Sequence, residues 1–132
     1  MNLSNKKTLH RCDRKAALTV EFSLVAPILF MVFVGCLELT SMNLIRQSAG
    51  NAAYEVARSA IVPGSVESEG RAIGINILNS VGATNNVDIN IDDNGQTVLV
   101  EVVVPVRENS WGLGRFTGDF TIRKSCSLSR EL

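Results

Sequence analysis

The stretch NIDDNGQTVLVE, residues 90–101, nearly fits the calcium-loop pattern D-x-[DN]-x-[DN]-G-x5-E, with Glu101 in the twelfth place. A hard cation needs a full set of oxygen ligands. Asn90 stands where the pattern asks for an aspartate, and the flanks alternate apolar and polar residues at period two rather than at a helical period. A β-hairpin accounts for every residue of the stretch, so no metal is assigned to it. The remaining chemical inventory is short. His10 is the only histidine, and Cys12, Cys36 and Cys126 fall in a basic leader, an apolar run and the C-terminal stretch. These parts assemble neither a Ser-His-Asp nor a Cys-His nor a zinc site, and no C-x-x-C pair is present. The expectation is a protein that is not an enzyme, uses no cofactor and holds no disulfide framework.

Two further residues invite a chemical reading. FVGC, residues 33–36, has the small-residue-then-cysteine form of a thiol lipidated after signal cleavage. A signal core, however, is about 7–15 uncharged residues long. Here the apolar run is longer, contains Glu21, and continues in helical register past Cys36. The other residue is Glu21 itself, a carboxylate in ALTVEFSLVAP, residues 17–27. A charge at a bilayer centre costs roughly 2.5–3.5 kcal/mol on insertion scales, less near an interface. Glu21 is therefore either an interfacial carboxylate reaching toward Lys15 and water, or a group that gains a partner within the membrane.

The elements that would position these residues follow from charge and hydropathy. Net charge is zero, yet Lys6, Lys7, Arg11, Arg14 and Lys15 crowd the first fifteen residues. A basic start followed by an apolar stretch is a membrane pattern and not a nucleic-acid arm. From Ala16 to Leu37 only Thr19, Glu21 and Ser23 interrupt the apolar run. As a helix it spans roughly 33 Å, enough for a bilayer core, and Pro27 is tolerated within it. The expected organisation is a basic cytoplasmic leader (1–16), a single transmembrane helix (17–39) and an extracytoplasmic head (40–132). The positive cluster places the N-terminus on the cytoplasmic side of the inner membrane and the head in the periplasm or outside the cell.

Helical periodicity continues past the span. Met42, Ile45, Ala49, Ala52, Ala53, Val56 and Ala60 form one stripe, with a polar face on which Glu55 and Arg58 can pair, and Pro63-Gly64 ends the run. A second helix is expected after Ser65 as N-cap, with Ile73, Ile77 and Val81 inward and Gly82 at its end. The period then falls to two. A type I′ turn at Asn94-Gly95 would pair Ile91 with Val98, Ile89 with Val100 and Val87 with Val102, which sets Asp88 against Glu101. Pro105 marks an edge or a strand end. A third strand is expected over 120–128, with Phe120, Ile122, Cys126 and Leu128 inward. The fold class is thus α+β: a long N-terminal helix, transmembrane then amphipathic, a short second helix and a small antiparallel sheet of about three strands.

Several of these residues also form a recognisable series. Basic residues lead to a small residue and a short apolar stretch ending in Glu21-Phe22. A proline-containing span follows, with Glu38 at its far end, and then AAYEVARSA, residues 52–60, with Glu55 and Arg58 in an E-x-A-R core. Over residues 14–64 the chain resembles the TadE-like family, minor-pilin or pseudopilin proteins of tight-adherence (Flp) pilus systems. The resemblance implies partners that are pilin-like subunits and pilus or secretion machinery. It also implies a prepilin peptidase cutting between Ala16 and Ala17, where this chain has Ala16 in place of the usual glycine. The amine of Ala17 in one subunit would then pair with Glu21 of a neighbour. Two readings stay open beside it: a tethered extracytoplasmic binding module, and a lipoprotein modified at Cys36.

Overall fold

A computed structural model describes residues 4–110 and 119–130, with side chains from residue 16 onward. Helix α1 (Ser4–Ile61) is followed by α2 (Glu67–Ser80), strands β1 (Asp88–Asp93) and β2 (Thr97–Pro105), a single helical turn α3 (Val106–Asn109), and β3 (Thr121–Ser129). The α+β class holds: one long helix, one short helix and a three-stranded antiparallel sheet in the order β1-β2-β3. The chain divides into two compact units, Met1–Leu37 and Glu38–Leu132.

In the first unit the described side chains are nearly all exposed. Ala16–Ile61 includes an apolar stretch long enough to cross a membrane, with none of that stretch buried. Such a helix has hydrogen-bonded its own backbone and still needs an apolar surround. Pro27 lies inside it and cannot donate to the Ser23 carbonyl, while the Ser23 hydroxyl folds back onto the Val20 carbonyl at 2.7 Å.

The second unit has a core. Ile45, Ala49, Ala52, Ala53, Val56 and Ala57 of α1 are buried together with Val98, Val100, Val102 and Val104 of β2. The alternation along β2 is what a sheet covered on one face requires. The α1 stripe is the expected one with Ala57 added. Glu55 and Arg58, by contrast, form no ion pair with each other.

Four other expectations are corrected. The first is the hairpin register, which is shifted by two residues. Ile91 pairs with Val100, Ile89 with Val102 and Asp93 with Val98, leaving a four-residue loop. Only Gly95 has positive φ there, +81°, whereas a type I′ turn needs two such residues. Instead, Asp93 Oδ1 accepts the Gly95 N–H at 2.8 Å and the Asn94 N–H donates to the Thr97 carbonyl at 3.1 Å. An even shift preserves the apolar faces, and it separates Asp88 from Glu101. Asp88 now faces Val103, and Glu101 faces Asn90.

The second correction is at the start of α2, where Val66 rather than Ser65 is the N-cap and no side chain caps the helix. The third is the buried face of α2, where Gly70, Gly74 and Leu78 are buried and Ile73 is exposed, while Ile77 and Val81 pack against the core as expected. A Cβ on Gly74 would meet Val56 Cγ2 and Ile89 Cδ1, each at 2.8 Å, and one on Gly70 would meet Ser59 Oγ at 2.8 Å. The glycines bring α2 closer to Val56 than a larger residue would allow. The fourth is Phe120, which precedes β3 and is exposed, while Ile122, Cys126 and Leu128 do face the core.

Candidate functional site

The residues singled out in the sequence fall into two groups. Ala16, Ala17, Glu21 and Phe22 lie on α1 in the first unit, all exposed. Phe22 is 72 % exposed, and with Ala26, Leu29, Phe30 and Phe33 it lines a shallow apolar groove of about 420 Å³. The spacing i, i+4, i+7, i+8, i+11 puts these five on one helix face. Glu21 is offset from Phe22 by about 100° around the helix. A carboxylate thus stands beside an aromatic stripe on a surface that water does not favour. Such a surface can pack against lipid or against another apolar helix.

Glu38 belongs to the second unit, and its environment is the opposite. It shares the face of Met42, Ile45 and Ala49, and it is only 6 % exposed. Its Oε1 is buried and has no hydrogen-bond partner among the described residues. Leaving a buried acceptor unsatisfied costs about 1–3 kcal/mol, more when it is charged. The buried stripe therefore opens with an acid where packing alone would favour leucine. Glu55 is half-buried and Arg58 exposed on the other side of the helix, so the family-matching acids do not converge.

Two polar staples that the sequence reading missed hold the head together. The Asn109 amide, 7 % exposed, donates to the Asn85 carbonyl at 2.8 Å and the Pro105 carbonyl at 2.9 Å, and accepts the Asn85 N–H at 2.9 Å. This ties the α2–β1 loop to the end of β2. Arg130 acts at the other end of the sheet. Its Nη2 donates to the Ala60 carbonyl at 2.9 Å and to Asp93 Oδ2 at 2.9 Å, and its Nε to the Ile61 carbonyl at 3.3 Å. A guanidinium placed at the last carbonyls of α1 meets both their hydrogen-bonding demand and the helix dipole. The Gly95 N–H, followed by Arg130, holds the Asp93 carboxyl below its ordinary value. A basic residue late in the chain was the available signal, but nothing local says which helix end it reaches.

The calcium-loop pattern falls across the hairpin, with part of it in each strand. Asn90 and Glu101, its first and twelfth positions, are cross-strand partners. Among the described residues no group of three or more His, Cys, Asp or Glu could hold a metal ion. A cleft of about 310 Å³ beside the α1–α2 turn is lined by Val62, Val66 and Ile73, with Glu69 its one ionisable group.

The TadE-like protein family model matches residues 16–58, the segment that contains the apolar span and its amphipathic continuation. The match stops short of α2 and the sheet. No curated protein and no solved structure matches the chain. A TadE-like segment on a helix apolar enough to cross a membrane fits a membrane-anchored component of a Tad pilus system.

Proposed function

Taking the TadE-like match over residues 16–58 as premise, we propose that the chain is a minor pilin or pseudopilin. It helps assemble a tight-adherence (Flp) pilus or a related secretion apparatus by helix packing and not by catalysis. It sits in the inner membrane as a single-pass protein, N-terminus in the cytoplasm, head outside, because the basic cluster precedes the span. The observation that carries the reading is Glu21. It is an exposed carboxylate beside the aromatic stripe of an unburied apolar helix, within the matched segment.

Cleavage between Ala16 and Ala17 by a prepilin peptidase would free an α-amine four residues from Glu21. That amine in one subunit pairs with Glu21 of its neighbour, which offsets the desolvation of both charges and fixes axial register. Removing one partner of a buried pair costs about 3–5 kcal/mol, and somewhat less where water defects reach the charge. Glu21→Gln is therefore expected to insert normally but to lose partner pilins on co-purification and to abolish assembled pili or secreted product. Unchanged recovery and assembly would return Glu21 to an interfacial role. Intact mass of the membrane protein gives the second test: a chain beginning at Ala17 supports the reading, and a lipidated chain beginning at Cys36 overturns it.

A further inference from the structure

The head's sheet ends in two strands that carry opposite charge. On one edge, β1 holds Asp88, Asp92 and Asp93 and no basic residue; on the other, β3 holds Arg123 and Lys124 and no acidic one. Neither outer edge pairs with another strand among the described residues. Edge strands present unpaired N–H and C=O groups, and charge on them repels strands of the wrong kind.

Only some of these charges are paired among the described residues. Asp93 is held by Arg130, and Arg123 reaches Glu101 at only 3.9 Å. Asp88 accepts one long bond from Asn90, 3.4 Å, and Asp92 and Lys124 make no ion pair among the described residues. We propose that the two edges are complementary, and that β3 of one copy continues the sheet onto β1 of a second copy of this chain. This rests on the reading of the chain as an assembly component, and it names the surface through which heads meet.

The register supports the match. Within one chain Asp88, Val103 and Arg123 form one row across the sheet, and Asn90, Glu101 and Ser125 the next on the same face. A second copy that continues these rows sets its Asp88 beside Arg123 and its Asn90 beside Ser125. Pairing of like edges is disfavoured, because β1 against β1 opposes aspartates and β3 against β3 opposes cations. Continuing the same rows onto a second copy repeats the strand directions, and β1 and β3 both run opposite to β2. The junction is then parallel. It is also heterologous, so each copy keeps one free edge and addition can repeat.

The test uses the full chain in membranes, with the native cysteines replaced (Cys12→Ser, Cys36→Ala, Cys126→Ser). One tagged copy carries Asn90→Cys and a differently tagged copy carries Ser125→Cys; Asp92 with Ser125, and Asn90 with Ser127, cover the neighbouring registers. Mild oxidation should give a mixed disulfide in co-expressing cells and little from either variant alone. Adding Asp88→Lys to the first copy should lower that yield about tenfold, and Arg123→Glu on the second copy should restore it. Three results would each overturn the edge pairing: no mixed disulfide in any register, equal cross-linking by single variants, or a yield indifferent to charge. If the cross-link fails while Glu21→Gln still loses its partners, the edge is wrong and the assembly reading stands.

Discussion

Leu29 and Val100 are both aliphatic, and their surroundings could hardly differ more. Leu29, in the first unit, has 62 % of its surface exposed, while Val100, in the second, is fully enclosed. From Ala16 to Leu37 the first unit is apolar nearly all round, and almost none of these side chains is buried. The second spaces its apolar residues at 3.6 or 2.0 and buries them. Composition therefore says how much apolar surface there is, and periodicity says whether the chain or its surroundings will cover it.

The sharpest way to break that comparison is one substitution made twice. Val100→Asp puts a carboxylate in the fully buried centre of the sheet and should unfold the head, seen as loss of its melting transition and rapid proteolysis. Val32→Asp, at an exposed site of the span, should leave the head's melting unchanged. It should instead lower membrane insertion, by roughly 2.5–3.5 kcal/mol on translocon scales. Equal effects on head melting would erase the distinction between the two units.

Glycine provides a second pair. Gly74→Ala adds a Cβ 2.8 Å from both Val56 and Ile89 and should cost about 1–3 kcal/mol of head stability. Gly35→Ala meets nothing within 4 Å, so head melting should not change.

Arg130 separates the units by pH. Asp93 titrates below its ordinary value in the fold, so its contribution is fully present above the unfolded value near 3.8 and is lost as pH falls through the lower folded value. Head stability should fall with acid in that window. Arg130→Ala should lower melting at neutral pH, through lost bonds to the Ala60 and Ile61 carbonyls, and should flatten part of the acid slope. Insertion of the span should not respond. The smallest effect is expected at Glu38, where Glu38→Met replaces a buried carboxylate whose Oε1 has no partner among the described residues and should hold or slightly raise head melting. A marked loss would show that the carboxylate is satisfied in the native head.

Much of this fold was legible in the sequence because it depends on local period. The span, the alanine stripe and the strand faces of Ile89, Ile91 and Val98 were all fixed by which residues recur at which spacing. What escaped depends on distance or on degeneracy. A period of two is unchanged by a slip of two residues, so alternation could not choose between Val98 and Val100 as the partner of Ile91. The like charges at Asp88 and Glu101 pointed to the correct register. Gly70 and Gly74 read as weak helix residues because their value lies in Val56 and Ser59 on another helix. The staples of Asn109 and Arg130 join residues 24 and 70 positions apart. At the candidate site, Glu21 was conspicuous as a charge in an apolar run, whereas the burial of Glu38 became apparent only once the stripe was folded.

The separation bridged by Arg130 also sets an order of events during synthesis. Its guanidinium closes the head by gripping the end of α1 and the β1–β2 loop, so that closure waits until β3 has been made. At about 5–20 residues per second, the intervening chain takes on the order of ten seconds to appear. The apolar helix has left the ribosome well before then. As a membrane anchor it would meet the bilayer attached to an unfinished chain, and a thread crosses a bilayer more readily than a folded domain. On the topology proposed above, translocation would come first and the late staple would lock the head only on the far side.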